Sequence, residues 1–137
     1  MKVYLSGPIY LDDKEATEGW RKQARKFFEY ACVSVIDPCR SKATYDSKYF
    51  TVNEILFRDL KDVDVADVIL VNFLLKEDKL PIGTVAEIMY AWTKQKPVVI
   101  VSRDPRIVEH PWIRALSVKI FSTLDEAMDY VVNFWSR

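Results

Sequence analysis

With 137 residues, the chain is long enough for one domain with a sizeable core and too short for two ordinary ones. Half of its residues are hydrophobic, three are glycine, and 20 Lys+Arg balance 20 Asp+Glu to give a formal net charge of zero. That balance supplies neither the basic field that attracts nucleic acid nor an acidic tail, and it raises no electrostatic barrier to self-association.

No apolar stretch approaches the length of a membrane span, and the N-terminus runs straight into a strand-like pattern without signal-peptide architecture. A cytoplasmic protein is the expectation. The two cysteines, Cys32 and Cys39, and the one histidine, His110, make neither a disulfide framework nor a zinc-site spacing, so neither a metal nor a cofactor is expected. Cys39 has no histidine or basic helix end near it in sequence to activate a catalytic thiol.

In chain order, Lys2-Val3-Tyr4-Leu5-Ser6 reads as a short buried strand ended by Gly7-Pro8. Asp12 and Asp13 are suited to cap a helix that runs to about residue 31, where Ala16, Trp20, Ala24, Phe27, Phe28 and Ala31 recur at helical spacing. Residues 33–37 form a second strand, stopped by Pro38. Residues 39–50 carry Arg40, Lys42, Tyr45, Lys48 and Tyr49 without periodicity, a loop of about 12 residues of the kind that often binds or covers ligands. Thr51 or Asn53 opens a second helix with Ile55, Leu56, Leu60 and Val63 on its buried face. Residues 67–72 contain a continuous apolar run, as in a central parallel strand. A third helix is expected over residues 84–95, a fourth strand over 97–102, a short helical turn within 104–115 and a fifth strand over 118–121. A last helix is capped by Ser122 or Thr123.

Five strands alternating with helices imply right-handed βαβ units. The expected fold is therefore a single-domain, flavodoxin-like or Rossmann-like three-layer α/β sandwich over residues 1–137, with a five-stranded parallel sheet of order 2-1-3-4-5. Ligands of such sheets bind beyond the carboxyl ends of the strands. Residues 7–10, residues 37–40, Asn72 and the start of the third helix at Gly83-Thr84 would meet there, with Glu87 close by. Glu87 has two readings. Thr84 and Glu87 match a capping box, a local helix signal; a carboxylate near a helix N-terminus is also held ionised, as a nucleophile must be. Asp59 and Asp62, flanked by Arg58 and Lys61, read equally as a solvated helix face with ion pairs. Tyr4 reads alone as a core tyrosine, His110 as a loop histidine before Pro111, and Asp37-Pro38 as either a strand-end turn or a pocket wall.

Four pieces in order resemble the nucleoside 2-deoxyribosyltransferase family, which includes related nucleotide N-glycosidases. They are Tyr4-Leu5-Ser6-Gly7-Pro8, Arg58-Asp59-Leu60 ahead of Ala66-Asp67, Gly83-Thr84-Val85-Ala86-Glu87-Ile88, and Lys96-Pro97-Val98-Val99-Ile100. The resemblance implies a covalent nucleophile at Glu87, a proton-managing aspartate near the base at Asp59, and a tyrosine that orients the nucleophile at Tyr4. It implies substrate contacts from Ser6, Gly7, Pro8, Ile9, Asn72 and Gly83. It also implies a homo-oligomer in which His110 is lent to a neighbouring subunit's site. The partners are then a small deoxynucleoside and a free nucleobase, with no nucleic acid and no membrane.

Such enzymes cleave an N-glycosidic bond through a deoxyribosyl ester and pass the sugar to a second base; attack by water makes a hydrolase instead. Two departures bear on the substrate. Pro81 stands where relatives often carry an aspartate or serine that contacts the sugar, and the lent position is histidine rather than asparagine or serine. With Arg40 or Lys42 added, a histidine there would favour a 5′-monophosphate. Residues 7–11 lack the arginine that nucleotide-specific relatives tend to use there, so the resemblance favours an unphosphorylated deoxynucleoside, which is the expectation kept here. The class apart from these is a non-catalytic nucleotide-binding module, which would have no need of Glu87 and Asp59 together.

Overall fold

The computed structural model describes residues 1–41, 48 and 50–136. The chain runs β1 (Lys2–Ser6), α1 (Lys14–Tyr30), β2 (Ser34–Ile36), α2 (Val52–Val65), β3 (Val68–Asn72), α3 (Ile82–Thr93) and β4 (Val98–Val101), then α4 (Pro105–Val108), α5 (Pro111–Leu116), β5 (Lys119–Phe121) and α6 (Leu124–Tyr130), with a π-helical turn over Val131–Trp135. All strands are parallel, in the order β2-β1-β3-β4-β5 that the sequence predicts. The expected binding loop falls largely on residues 42–47 and 49, and Lys42 with it, outside the described residues.

The caps explain most of the helix starts. Asp13 Oδ1 accepts from the Ala16 N–H at 3.0 Å, and Thr51 Oγ1 from the Glu54 N–H at 3.1 Å. Thr123 and Glu126 form a reciprocal pair at the head of α6. Two helices end on non-glycine residues in the left-handed region, Cys32 (φ 58°) after α1 and Gln95 (φ 56°) after α3. Each lets the next residue's N–H reach back into the helix, Val33 to the Phe28 carbonyl at 2.8 Å and Lys96 to the Ala91 carbonyl at 2.9 Å.

Because side chains alternate across a strand, the sheet has two separate cores. Val3, Leu5, Leu70 and Val101 face α1 and α6 and pack with Phe28 and Met128. Tyr4, Ile69, Val71 and Ile100 face the other way, toward Val63 of α2 and Ile88 and Ala91 of α3. β3 is buried along its whole length, as a central strand covered on both faces must be. The polar side chains of β1, Tyr4 and Ser6, share the α2/α3 face, and this position makes the site.

One expected element differs. α3 begins at Ile82, with Pro81 as the last non-helical residue and no side-chain cap. Proline fixes its own φ and needs no N–H there, so the helix starts earlier than the Thr84 signal suggests. Thr84 lies buried inside the first turn, and the capping box with Glu87 does not form.

Candidate active site

Glu87 points inward from α3 to β1. Its Oε1 accepts a hydrogen bond from Ser6 Oγ at 2.9 Å, and its Oε2 accepts one from the Tyr4 hydroxyl. Residues two apart on a strand stand side by side on one face, so Tyr4 and Ser6 form a pair of O–H donors beneath one carboxylate. Tyr4 is wholly buried. Burial, then the neighbouring Glu87 charge, push its hydroxyl far above the ordinary tyrosine range, so it stays protonated and always donates. Burial pushes the Glu87 carboxyl up to about 7; the two hydroxyl bonds and the charge of Arg21 oppose the rise, and Asp59 adds to it.

Above the carboxylate is a cavity of about 330 Å³ at the carboxyl edge of the sheet, within the size range of small-molecule sites. Gly7, Pro8 and Ile9 form one wall, Leu56, Asp59 and Leu60 of α2 a second, and Pro81, Gly83, Thr84 and Ala86 a third. Gly7 is required sterically: a Cβ there would lie 2.9 Å from Trp20 Cζ2 and 3.2 Å from the Asn72 carbonyl oxygen.

Asp59 faces this cavity, so the solvated-face reading does not apply to it; its side chain is one-fifth exposed. Burial raises its carboxyl above the usual range, and the Arg58 guanidinium works against that rise. Asp62 is occupied elsewhere, ion-paired with Arg40 Nη1 at 2.7 Å.

Other expected site residues sit differently. Ser6 is buried under Glu87 and supports the carboxylate instead of lining the cavity. Asn72 is buried behind Gly7, with its Oδ1 accepting from the Leu74 N–H at 3.0 Å. Asp37 closes the end of β2 as a turn: its Oδ1 accepts from the Cys39 N–H at 2.8 Å, and its carboxylate pairs with Arg21 and Arg25. His110 is the cap of α5, its Nδ1 accepting from the Trp112 N–H at 3.2 Å. It lines a separate apolar groove of about 550 Å³ with Ile82, Met89, Trp112 and Ile113, so within one chain it does not reach the Glu87 cavity. Leu56, expected in the core, is half exposed and lines the cavity instead.

Sequence reasoning missed the fully buried Arg21, whose Nη2 donates to the Gly7 carbonyl at 3.0 Å and whose guanidinium lies 4.6 Å from the Trp20 ring centre. The available signal was an arginine within the buried stripe Thr17, Ala24 and Phe28 of α1. The expected local ion pair of Arg58 with Asp59 is present, and what sequence reasoning missed is the anchoring of Arg58 on Pro38 and Ser41. A larger cavity of about 570 Å³ lies between the loops after β3 and β4, where Arg106 pairs with Asp104 and Asp78, and Lys76 with Asp13. Among the described residues, no group of three or more His, Cys, Asp or Glu is placed to hold a metal, and no helix is long and apolar enough to cross a membrane.

A doubly held carboxylate beneath a small cavity at the carboxyl edge of a parallel sheet defines a class of small-molecule enzyme sites. Residues 1–105 match the family described as nucleoside 2-deoxyribosyltransferase like, and the chain belongs to that family. Among solved structures, it resembles the 2-deoxyribosyltransferase of Bacillus psychrosaccharolyticus at a TM-score of 0.73 and 19% identity, over 95% of this chain and 92% of that one. It also resembles the 2-deoxyribosyltransferase of Leishmania mexicana at a TM-score of 0.73 and 18% identity, over 97% of each chain. A CMP N-glycosidase of Clostridium botulinum superposes at a TM-score of 0.60 and 12% identity, over 98% of this chain and 100% of that one. A sequence comparison with curated proteins returned no match.

Proposed function

We propose that this chain cleaves the N-glycosidic bond of a 2′-deoxynucleoside and transfers the deoxyribosyl group to a second nucleobase. The observation that carries this reading is Glu87, with each oxygen held by a neutral hydroxyl and the cavity open above it. A Glu87 oxygen attacks C1′, the C1′–N bond breaks with its electron pair going to the base, and the base nitrogen takes a proton from Asp59 or a water beside it. C1′ without a 2′-hydroxyl carries the developing positive charge well, and the carboxylate stabilises and then traps it as an ester. A nitrogen of a second base attacks C1′ of the ester, the C1′–O bond breaks with its electron pair returning to the Glu87 carboxylate, and the base loses its proton, with net retention. Water in its place gives hydrolysis. Tyr4 and Ser6 fix the carboxylate's orientation through both steps.

The test is incubation with a deoxynucleoside, with and without a free second base, followed by mass analysis of the protein. Base exchange and a deoxyribosyl adduct on Glu87 support the reading; absence of both from every deoxynucleoside sinks it.

One observation favours a second reading, hydrolysis of a nucleoside 5′-monophosphate. α3 has no side-chain cap, Gly83 faces open space, and the first turn of the helix adjoins the cavity. Free N–H groups at a helix start attract phosphate. The unphosphorylated substrate remains the preferred reading because residues 7–11 bring no arginine. Catalytic efficiency on a deoxynucleoside against its monophosphate, in wild type and His110→Ala, separates the two.

The same reading makes the protein a cytoplasmic homo-oligomer of one domain per chain, with residues 1–137 forming that domain. Ile82 and Trp112 are more than half exposed on α3 and α5, and Ala86 lines both their groove and the Glu87 cavity. A second copy covering this apolar surface would bring its His110 beside the cavity. A light-scattering mass equal to the 16.0 kDa chain at micromolar concentration would refute this.

A further inference from the structure

Arg58 precedes Asp59 on α2 and does not line the cavity. Adjacent helical residues point in different directions, so an arginine that reaches its neighbour's carboxylate must be steered there. Four hydrogen bonds do the steering. Nε and Nη2 donate to Asp59 Oδ1 at 3.2 and 3.0 Å; Nη2 also donates to the Pro38 carbonyl at 2.7 Å, and Nη1 to Ser41 Oγ at 2.7 Å. Asp59 Oδ2 has no hydrogen-bond partner among the described residues, while the side chain borders the Glu87 cavity. The reverse clamp is present too: Arg40, from the strap at residues 38–41, reaches back to Asp62 on α2 at 2.7 Å.

We infer that Arg58 is a positioning residue for this site: its fork, anchored on Pro38 and Ser41, aims the second oxygen of Asp59 into the Glu87 cavity and governs when that carboxylate carries a proton. The charged groups that face Asp59 are Arg58 and Asp62 on its own helix, Arg40 on the strap, and Glu87 on α3, with the neutral Tyr4 hydroxyl on β1. Asp62, Glu87 and burial favour the protonated acid; the two arginines oppose them. Among the described residues, only Arg58 is bonded to Asp59 directly. The strap that ends β2 and the chemistry at Glu87 are thereby coupled through one side chain.

The inference rests on the proposed role of Asp59, and its test separates the two. Aspartate carboxyl carbons are titrated by NMR in wild type, with Asp59→Asn assigning the Asp59 signal, and in Arg58→Met, Arg58→Lys and Ser41→Ala. Loss of an adjacent positive charge should raise the Asp59 midpoint by about one to three pH units in Arg58→Met. Turnover should fall on the order of 100-fold, with KM changing far less, as expected for a misaimed group. Arg58→Lys restores the charge without the fork, so the midpoint returns toward wild type while kcat stays low. Ser41→Ala keeps the charge and loosens its anchor, lowering kcat in the same direction. A folded Arg58→Met protein with an unmoved Asp59 midpoint overturns the inference. If that variant does not fold, unchanged kcat in both Arg58→Lys and Ser41→Ala overturns it. A moved midpoint in a protein that cleaves no nucleoside would support the positioning role and discard the proposed reaction.

Discussion

Glu87 and Asp59 border one cavity, and burial lifts both carboxyls, yet they are restrained by opposite means. Glu87 is held by two neutral hydroxyls from the sheet, Asp59 by a cation from its own helix. Neutral donors fix direction while compensating little for lost hydration, so Glu87 reaches about 7. A guanidinium supplies charge as well as direction. The same burial thus raises both carboxyls, and the rise is opposed by different partners, hydroxyls at Glu87 and a guanidinium at Asp59.

Removing Glu87 abolishes the difference, and Glu87→Ala should reduce turnover by several orders of magnitude while the protein still folds; single-turnover assays beside circular dichroism check both. Tyr4→Phe removes one neutral donor and leaves the carboxylate in place. A loss of about 10²–10³ in kcat is expected by analogy with the removal of one positioned donor, together with a higher Glu87 titration midpoint.

The pH dependence sharpens the comparison further. In the proposed reaction Glu87 attacks as the carboxylate, so kcat/KM should rise with pH through about 7 and fall about tenfold per unit below it. Stability runs the other way. The folded carboxyl sits above its ordinary value of 4.5, so the fold favours its protonated form. That contribution is complete below pH 4.5 and is lost as pH rises to about 7. Glu87→Gln should accordingly melt higher than wild type at pH 8, with the gap closing toward pH 5, although it is inactive. Equal melting temperatures across that range would show that Glu87 is not held at a cost.

Gly7→Ala attacks the wall rather than the carboxylates, through the 2.9 Å approach to Trp20. Overpacking of this kind should cost about 1–3 kcal/mol in denaturant melts and raise KM by displacing the first loop. The smallest effect is expected far from the cavity. Gln95→Gly relieves a left-handed residue after α3 and should stabilise by up to about 1 kcal/mol, with kcat unchanged.

The sheet was legible in the sequence because each strand is a short apolar run between turn residues, and β3 is buried on both faces as its unbroken Val68-Ile69-Leu70-Val71 implies. The start of α3 was not. Pro81-Ile82-Gly83 has the composition of a turn, and Thr84 with Glu87 imitates a cap, so local chemistry pointed to a later start while tertiary contacts drew Glu87 to β1. Ser6 was singled out as a substrate contact, yet strand alternation already placed it beside Tyr4. Its support of Glu87 needed the partner helix to become visible. Arg58 and Arg21 were hidden for a related reason: a charged residue on a helix reads as solvated until the loop or strand it reaches is known. His110 poses a harder problem, because its proposed role depends on a second chain.

Arg21 belongs to α1, on the side of the sheet away from the cavity, yet its guanidinium holds the Gly7 carbonyl and faces Asp37 at the end of β2. The first cavity-lining loop thus hangs from the opposite layer of the protein. Arg21, Asp37, Trp20 and Gly7 meet in one crowded spot, where a change in any one alters what the others can be. Over evolution, these four positions should vary as a set. In directed mutagenesis, substitutions on the far layer should surface as altered substrate preference, a route to new specificity that leaves Glu87 and its two hydroxyl partners untouched.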